Sequence, residues 1–144
     1  MTTQVNDIAI DDAVASALSD GTHVVYSLSG GKDSSAAAFV VDAYLDRIGH
    51  PRDRRHAIHA DLGMIEWPST SGFVETIATM LAVDLSVVRR KAGGLVQRWE
   101  QRWKSSLRRY ENLETYQLVP PFSSARLRFR TGETKVQPIG ANLR

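Results

Sequence analysis

The 144-residue chain is long enough for one domain with its own core, and its 42% hydrophobic and 24% charged residues are typical of a globular protein. The net charge of +2 hides an asymmetry: residues 1–88 carry 5 basic and 12 acidic side chains, residues 89–144 carry 13 basic and 4 acidic. The absence of cysteine excludes disulfides, thiolate metal sites and thiol nucleophiles, and no apolar run approaches the roughly 20 residues that cross a bilayer, so a cytoplasmic protein with no membrane partner is expected.

The amino-terminal MTTQVNDIAIDDAV lacks the basic and apolar regions of a secretory signal. Asp11 or Asp12 caps a short helix with Ile10, Val14, Ala17 and Leu18 on its apolar face, and Asp20-Gly21 ends it. His23 to Leu28 reads as a buried strand and Ser29-Gly30-Gly31 as a turn. The next helix is predicted from Asp33 to about Arg47, with Ala36, Phe39, Val40, Ala43 and Leu45 apolar and Gly49 closing it. After the polar loop HPRDRR, Arg55 to Ala60 reads as a second strand ending at Asp61-Leu62-Gly63. A helix from Pro68 to about Ala82 sets Phe73, Ile77, Met80 and Leu81 on one side, and Leu85 to Val88 reads as a third strand. Leu95, Val96, Trp99 and Trp103 mark a fourth helix, the tryptophans reading as a core stripe rather than a base-stacking platform. Pro120-Pro121 interrupts the chain, and ARLRFR (125–130) alternates apolar and basic residues as an exposed edge strand does.

Strands alternating with helices argue for an α/β fold, a parallel sheet with flanking helices and right-handed crossovers. One domain is expected over 1–144: an amino-terminal helix (1–20), a βαβαβ core (22–90) and a basic helical part (91–144).

The chemistry-bearing stretch is SGGKDS, Ser29 to Ser34, between a strand and a helix. In parallel α/β sheets ligands bind beyond the carboxyl ends of strands. Glycines there let the backbone approach a ligand, and the following helix presents unpaired N–H groups and a partial positive charge. Ser29, Ser34 and Ser35 add hydroxyls, Lys32 adds a cation, and Ala36–Ala38 let the helix pack close. The whole pattern points to a phosphate loop, against the plainer reading of a strand-to-helix turn with Asp33 as N-cap. It is neither a Walker A loop, since aspartate follows the lysine, nor G-x-G-x-x-G.

SGGKDS resembles the SGGxDS signature of the PP-loop ATP pyrophosphatase superfamily, also called adenine nucleotide alpha-hydrolase-like. HADLGMIEWPSTSGFVETIA (59–78), LSVVRR (85–90) and PFSSARLRFRTGETKVQPI (121–139) resemble segments of its phosphoadenosine phosphosulfate reductase family, in order. The resemblance implies that Ser29, Gly30, Gly31, Lys32, Asp33 and Ser34 hold the phosphates of ATP or a related adenine nucleotide. It also implies that Ser27, Leu28 and the Ala60–Leu62 stretch frame the adenine. The reaction implied is attack on the α-phosphate of ATP with release of pyrophosphate, with Lys32 and Asp33 as catalytic residues and magnesium held by Asp33 or Asp61. Arg128 and Lys135 stand where the family has basic residues that bind the outer phosphate and sulfate of a sulfonucleotide. The family pattern also implies a loop and helix, not a strand, over ARLRFR. For Asp61 the plainer alternative is a loop-start residue turned to water, and for Arg126, Arg128 and Arg130 a solvated basic surface.

Two departures from that pattern matter. Arg130 stands at the family's cysteine, and with no cysteine in the chain neither thiol-based sulfonucleotide reduction nor an iron–sulfur cluster is expected. The chain also stops at Arg144, before the elements that complete the family's five-stranded sheet. A carboxyl-terminally incomplete domain is therefore expected, with an open sheet edge covered by a homodimer, a protein partner or a rearranged carboxyl terminus. Two other readings stay open beside adenylyl transfer. One is a non-catalytic or partner-dependent nucleotide-binding module. The other is association with nucleic acid through Arg89, Arg90, Lys91, Arg98, Arg102, Arg108 and Arg109. His56, His59 and Asp61 could be imagined as a metal set, but they read better as ordinary strand residues.

Overall fold

The order of elements follows the alternation of apolar runs and amphipathic stretches. In the computed structural model, which describes residues 8–91, 93–121 and 135–143, helix α1 (Asp12–Ser19) leads to strand β1 (Val24–Ser27) and helix α2 (Lys32–Arg47). Strand β2 (Arg55–Asp61), helix α3 (Thr70–Leu81), strand β3 (Asp84–Arg89) and helix α4 (Leu95–Glu111) follow, with a short helix α5 (Gln137–Asn142) near the carboxyl end. The strands form one parallel sheet in the order β1-β2-β3, with Val24 opposite Arg55 and Ser27 opposite Ile58. β1 is therefore an edge of the described sheet and β2 its centre. Ala57 to Ala60 are buried at four successive positions, as in a strand covered on both faces. The ARLRFR segment and Arg128 lie outside the described residues. Among those described, no helix is long and apolar enough to cross a membrane.

The chain divides into two compact units: residues up to His59 with Pro68–Val87, and Ala60–Trp67 with the residues from Val88 on. The first holds 5 basic and 10 acidic side chains, net −5, and the second 13 and 6, net +7.

The core of the first unit is built from Tyr26, Leu28, Ala38, Leu45, Ala57, Val74, Ile77, Ala78 and Leu81. On α3 the buried face is Val74, Ile77, Ala78 and Leu81, whereas Phe73 and Met80, expected inside, are 44% and 65% exposed. Both stripes share Ile77 and Leu81; the smaller Val74 and Ala78 occupy the face that packs on the core, where α3 meets α2. The buried face of α2 is Ser35, Ala38, Asp42 and Leu45; of the expected Ala36, Phe39, Val40, Ala43 and Leu45, Leu45 is fully buried and Phe39 packs half-buried against the core, while Ala36 and Ala43 are exposed.

A carboxylate inside this face needs partners. Asp42 accepts hydrogen bonds from the Tyr26 hydroxyl at 2.8 Å and from Arg55 Nη1 at 2.9 Å. Arg55 Nη1 also donates to Asp46 at 2.7 Å, its Nη2 donates to the His50 carbonyl, and Arg52 pairs with Asp46. Burial, and then the bond to Asp42, push the Tyr26 phenol well above its ordinary range. The hydrogen bond from Arg55 holds the Asp46 carboxyl below the usual carboxylate range.

In the second unit α4 has one buried residue among those described, Leu95. Trp99 is half-buried and Trp103 is 41% exposed, so the tryptophan pair is not the core stripe its spacing suggested. The short turn Gly63–Ile65 packs on α4.

Candidate functional site

The residues of SGGKDS occupy one continuous turn at the carboxyl end of β1. Ser27 closes the strand. Leu28, 2% exposed, is held on both backbone groups: its amide donates to the Ile58 carbonyl at 2.9 Å, and its carbonyl accepts from His59 Nδ1 at 2.8 Å. The buried His59 is thus an anchor for the strand end that precedes the loop. Among the described residues no three His, Cys, Asp or Glu side chains gather to hold a metal ion. His56 instead stacks on His23, the ring centroids 5.4 Å apart.

Gly30 turns the chain with φ +74°, and a Cβ there would lie 2.6 Å from Thr70 Cγ2. Both the backbone angle and the closeness of α3 therefore demand glycine. Gly31 differs: it has φ −96° and a Cβ would meet Ser29 Oγ at an ordinary 3.5 Å. Sterics do not require the second glycine, which leaves its outer side open to solvent.

Gly31, not Asp33, is the N-cap of α2, and no side chain caps this end. Asp33 stands one residue inside the helix, exposed, where a carboxylate is favoured by the helix dipole but does not close the turn. The hydroxyl that might have capped is used backwards. Ser34 Oγ accepts from the Ser29 amide at 3.1 Å, lies 2.9 Å from Ser29 Oγ and donates to the Gly31 carbonyl at 3.0 Å. Ser35 Oγ donates to the same carbonyl at 3.0 Å. These bonds stiffen the loop, while the backbone N–H groups of Lys32, Asp33 and Ser34 have no partner among the described residues. Lys32 begins the helix with an exposed side chain. The turn therefore offers three backbone amides at a helix N-terminus and the Lys32 amine to an anion.

Asp61 stands in the second unit. Its Oδ1 accepts from the Gly63 amide at 2.6 Å and its Oδ2 from Arg89 Nε at 3.1 Å. It is thus a turn-closing, ion-paired carboxylate rather than a residue turned to water, and the bond raises the Arg89 guanidinium further above neutral pH. Of the two aspartates weighed for magnesium, Asp33 is exposed with no side-chain partner among the described residues, whereas Asp61 is engaged by the protein. The donor set fits an ion that arrives with the phosphates of a nucleotide and takes one carboxylate, not a protein cage. Lys135 belongs to the second unit, half-buried just before α5, and Arg128 is outside the described residues.

Thr70 and His59 are the parts of the site that sequence reasoning missed. Neither carries a local signal, since each acts on the loop from 31 or more residues away. No protein-family model, curated protein or solved structure matched this chain.

Proposed function

We propose that the Ser29–Ser34 turn binds the phosphates of an adenine nucleotide, in the manner of a PP-loop. The observation that carries this reading is the start of α2 at the end of a parallel strand, with amides unpartnered among the described residues on a turn made rigid by its serines. A plain strand-to-helix turn would use Ser34 or Asp33 to satisfy those amides; here Ser34 is spent on holding the loop.

On this reading Lys32 neutralises the phosphates and Asp33 meets the magnesium that accompanies ATP. If the nucleotide is turned over, a nucleophile on the second substrate attacks the α-phosphorus. The bond to the α,β-bridging oxygen breaks, and pyrophosphate leaves with the electron pair. The protein supplies placement and charge stabilisation through backbone N–H groups and Lys32. Sulfonucleotide reduction is not part of the proposal, because the chain has no thiol.

Pyrophosphate release from magnesium-ATP, measured on the purified chain and on the Lys32→Ala, Asp33→Ala double variant, tests the catalytic half of the proposal. Release by the native chain and not by the variant supports it. Equal release by both places the chemistry elsewhere. Binding without release by the native chain leaves a nucleotide-binding module.

A further inference from the structure

We propose that His59 is a positioning residue for the phosphate loop: by gripping the Leu28 carbonyl it sets the Leu28–Ser29 peptide, and through that peptide it keeps the first turn of α2 open to an anion. This rests on the reading of Ser29–Ser34 as a phosphate site. His59 is 2% exposed, and its Nδ1 lies 2.8 Å from the Leu28 carbonyl oxygen. A carbonyl only accepts, so Nδ1 carries the hydrogen and the ring is fixed in orientation. The Leu28 amide is held too, donating to the Ile58 carbonyl at 2.9 Å. The residue just ahead of the loop is thus tied to β2 through both of its backbone groups.

A trans peptide is planar, with its carbonyl and the following amide pointing to opposite sides. Fixing the Leu28 carbonyl therefore fixes the Ser29 N–H. That N–H donates to Ser34 Oγ at 3.1 Å, and Ser34 Oγ in turn donates to the Gly31 carbonyl at 3.0 Å. The grip of a buried ring is passed across one peptide to a hydroxyl in the first turn of α2. A free serine hydroxyl bonds the backbone groups nearest to it. Held as it is, Ser34 leaves the N–H groups of Lys32, Asp33 and Ser34 without a partner among the described residues. The start of α3 backs the same loop. A Cβ on Gly30 would lie 2.6 Å from Thr70 Cγ2, so the turn has no room to retreat on that side. A histidine that merely filled the core would be replaced best by an apolar side chain. One that positions the loop would be replaced best by a side chain with a donor in the same place.

Two substitutions separate these roles. His59→Asn keeps an N–H near the place of Nδ1 but loses volume, whereas His59→Leu keeps the volume and has no donor. The affinity of each full-length variant for magnesium-ATP is measured by calorimetry, and hydrogen exchange of the Ser29 amide is followed by NMR without nucleotide. Loss of the buried hydrogen bond in His59→Leu should weaken binding roughly tenfold and speed Ser29 exchange by a similar factor, while His59→Asn should bind within about threefold of the native chain. Ser34→Ala breaks the same path further along, so adding His59→Leu to it should weaken binding no further. Should His59→Leu fail to fold, His59→Met takes its place. Native affinity in His59→Leu, weaker binding by His59→Asn than by His59→Leu, unchanged Ser29 exchange, or additive effects of the His59 and Ser34 substitutions would each overturn the proposal. Absence of nucleotide binding by the native chain would instead overturn the phosphate-site reading, and this proposal with it.

Discussion

The two units use charge in opposite ways. In the first, the most heavily bonded cation, Arg55, has a side chain only 1% exposed and is tied to Asp42, Asp46 and a backbone carbonyl. In the second, Arg89 and Arg109 make their ion pairs with side chains 67% and 56% exposed. A buried pair cannot be half removed without leaving a stranded charge, whereas an exposed pair exchanges readily with water or a ligand. Arg55 of the first unit is therefore built into the core, whereas Arg89 and Arg109 of the second make their pairs at the surface.

The largest test of that contrast is stability. Arg55→Ala should cost about 3–5 kcal/mol in urea unfolding, because the largely buried Asp42 loses its close guanidinium partner and keeps only the half-exposed Arg52 at 3.7 Å. Arg109→Ala should cost under about 1 kcal/mol. Equal losses would erase the distinction between the units.

Next in size are the two glycines of the loop. Gly30→Ala should destabilise the chain by roughly 1–3 kcal/mol, through the positive φ and the contact with Thr70. Gly31→Ala should leave the melting temperature in place yet weaken nucleotide binding about tenfold, because a methyl group would stand where phosphate oxygens approach. A Gly31→Ala variant that binds normally would remove the second glycine from the site.

Smaller effects should appear in the pH dependence. Asp46 has a folded pKa below its unfolded one. Its contribution is complete above about pH 4 and is lost as pH falls through the folded value. Since its side chain is 44% exposed, the contribution is on the order of 1 kcal/mol or less. Asp46→Asn should flatten the acid limb of a stability profile. Tyr26 is raised, so its contribution is complete below about pH 10 and is lost as pH rises beyond that, a loss absent from Tyr26→Phe. The smallest change expected is Ala82→Gly. This residue closes α3 with φ 53°, and relief of that strain should raise stability by no more than about 1 kcal/mol in thermal melts.

The alternation of elements and the strand–turn–helix around SGGKDS were legible because period and turn chemistry are local. The N-cap was not. Asp33 and Gly31 both suit that position, and the choice went to Gly31 because Ser34 reaches back to Ser29. The buried face of α3 was misread because two overlapping stripes share Ile77 and Leu81, and the larger Phe73 and Met80 are the ones left outside. The Tyr26–Asp42–Arg55 network joins residues 13 to 29 positions apart; the sequence places Arg55 at the start of the second strand, but nothing local to it shows its partners. Polar residues of that kind become core only through tertiary partners, which no window of sequence contains.

Calorimetric titration of the chain with magnesium-ATP, beside the Lys32→Ala, Asp33→Ala double variant and with phosphoadenosine phosphosulfate as the second ligand, tests the central claim most directly. The account expects heat of binding for the native loop and its loss in the variant, with the preferred nucleotide identifying the ligand class. Absence of binding to either nucleotide, or binding that the double variant retains, would contradict it.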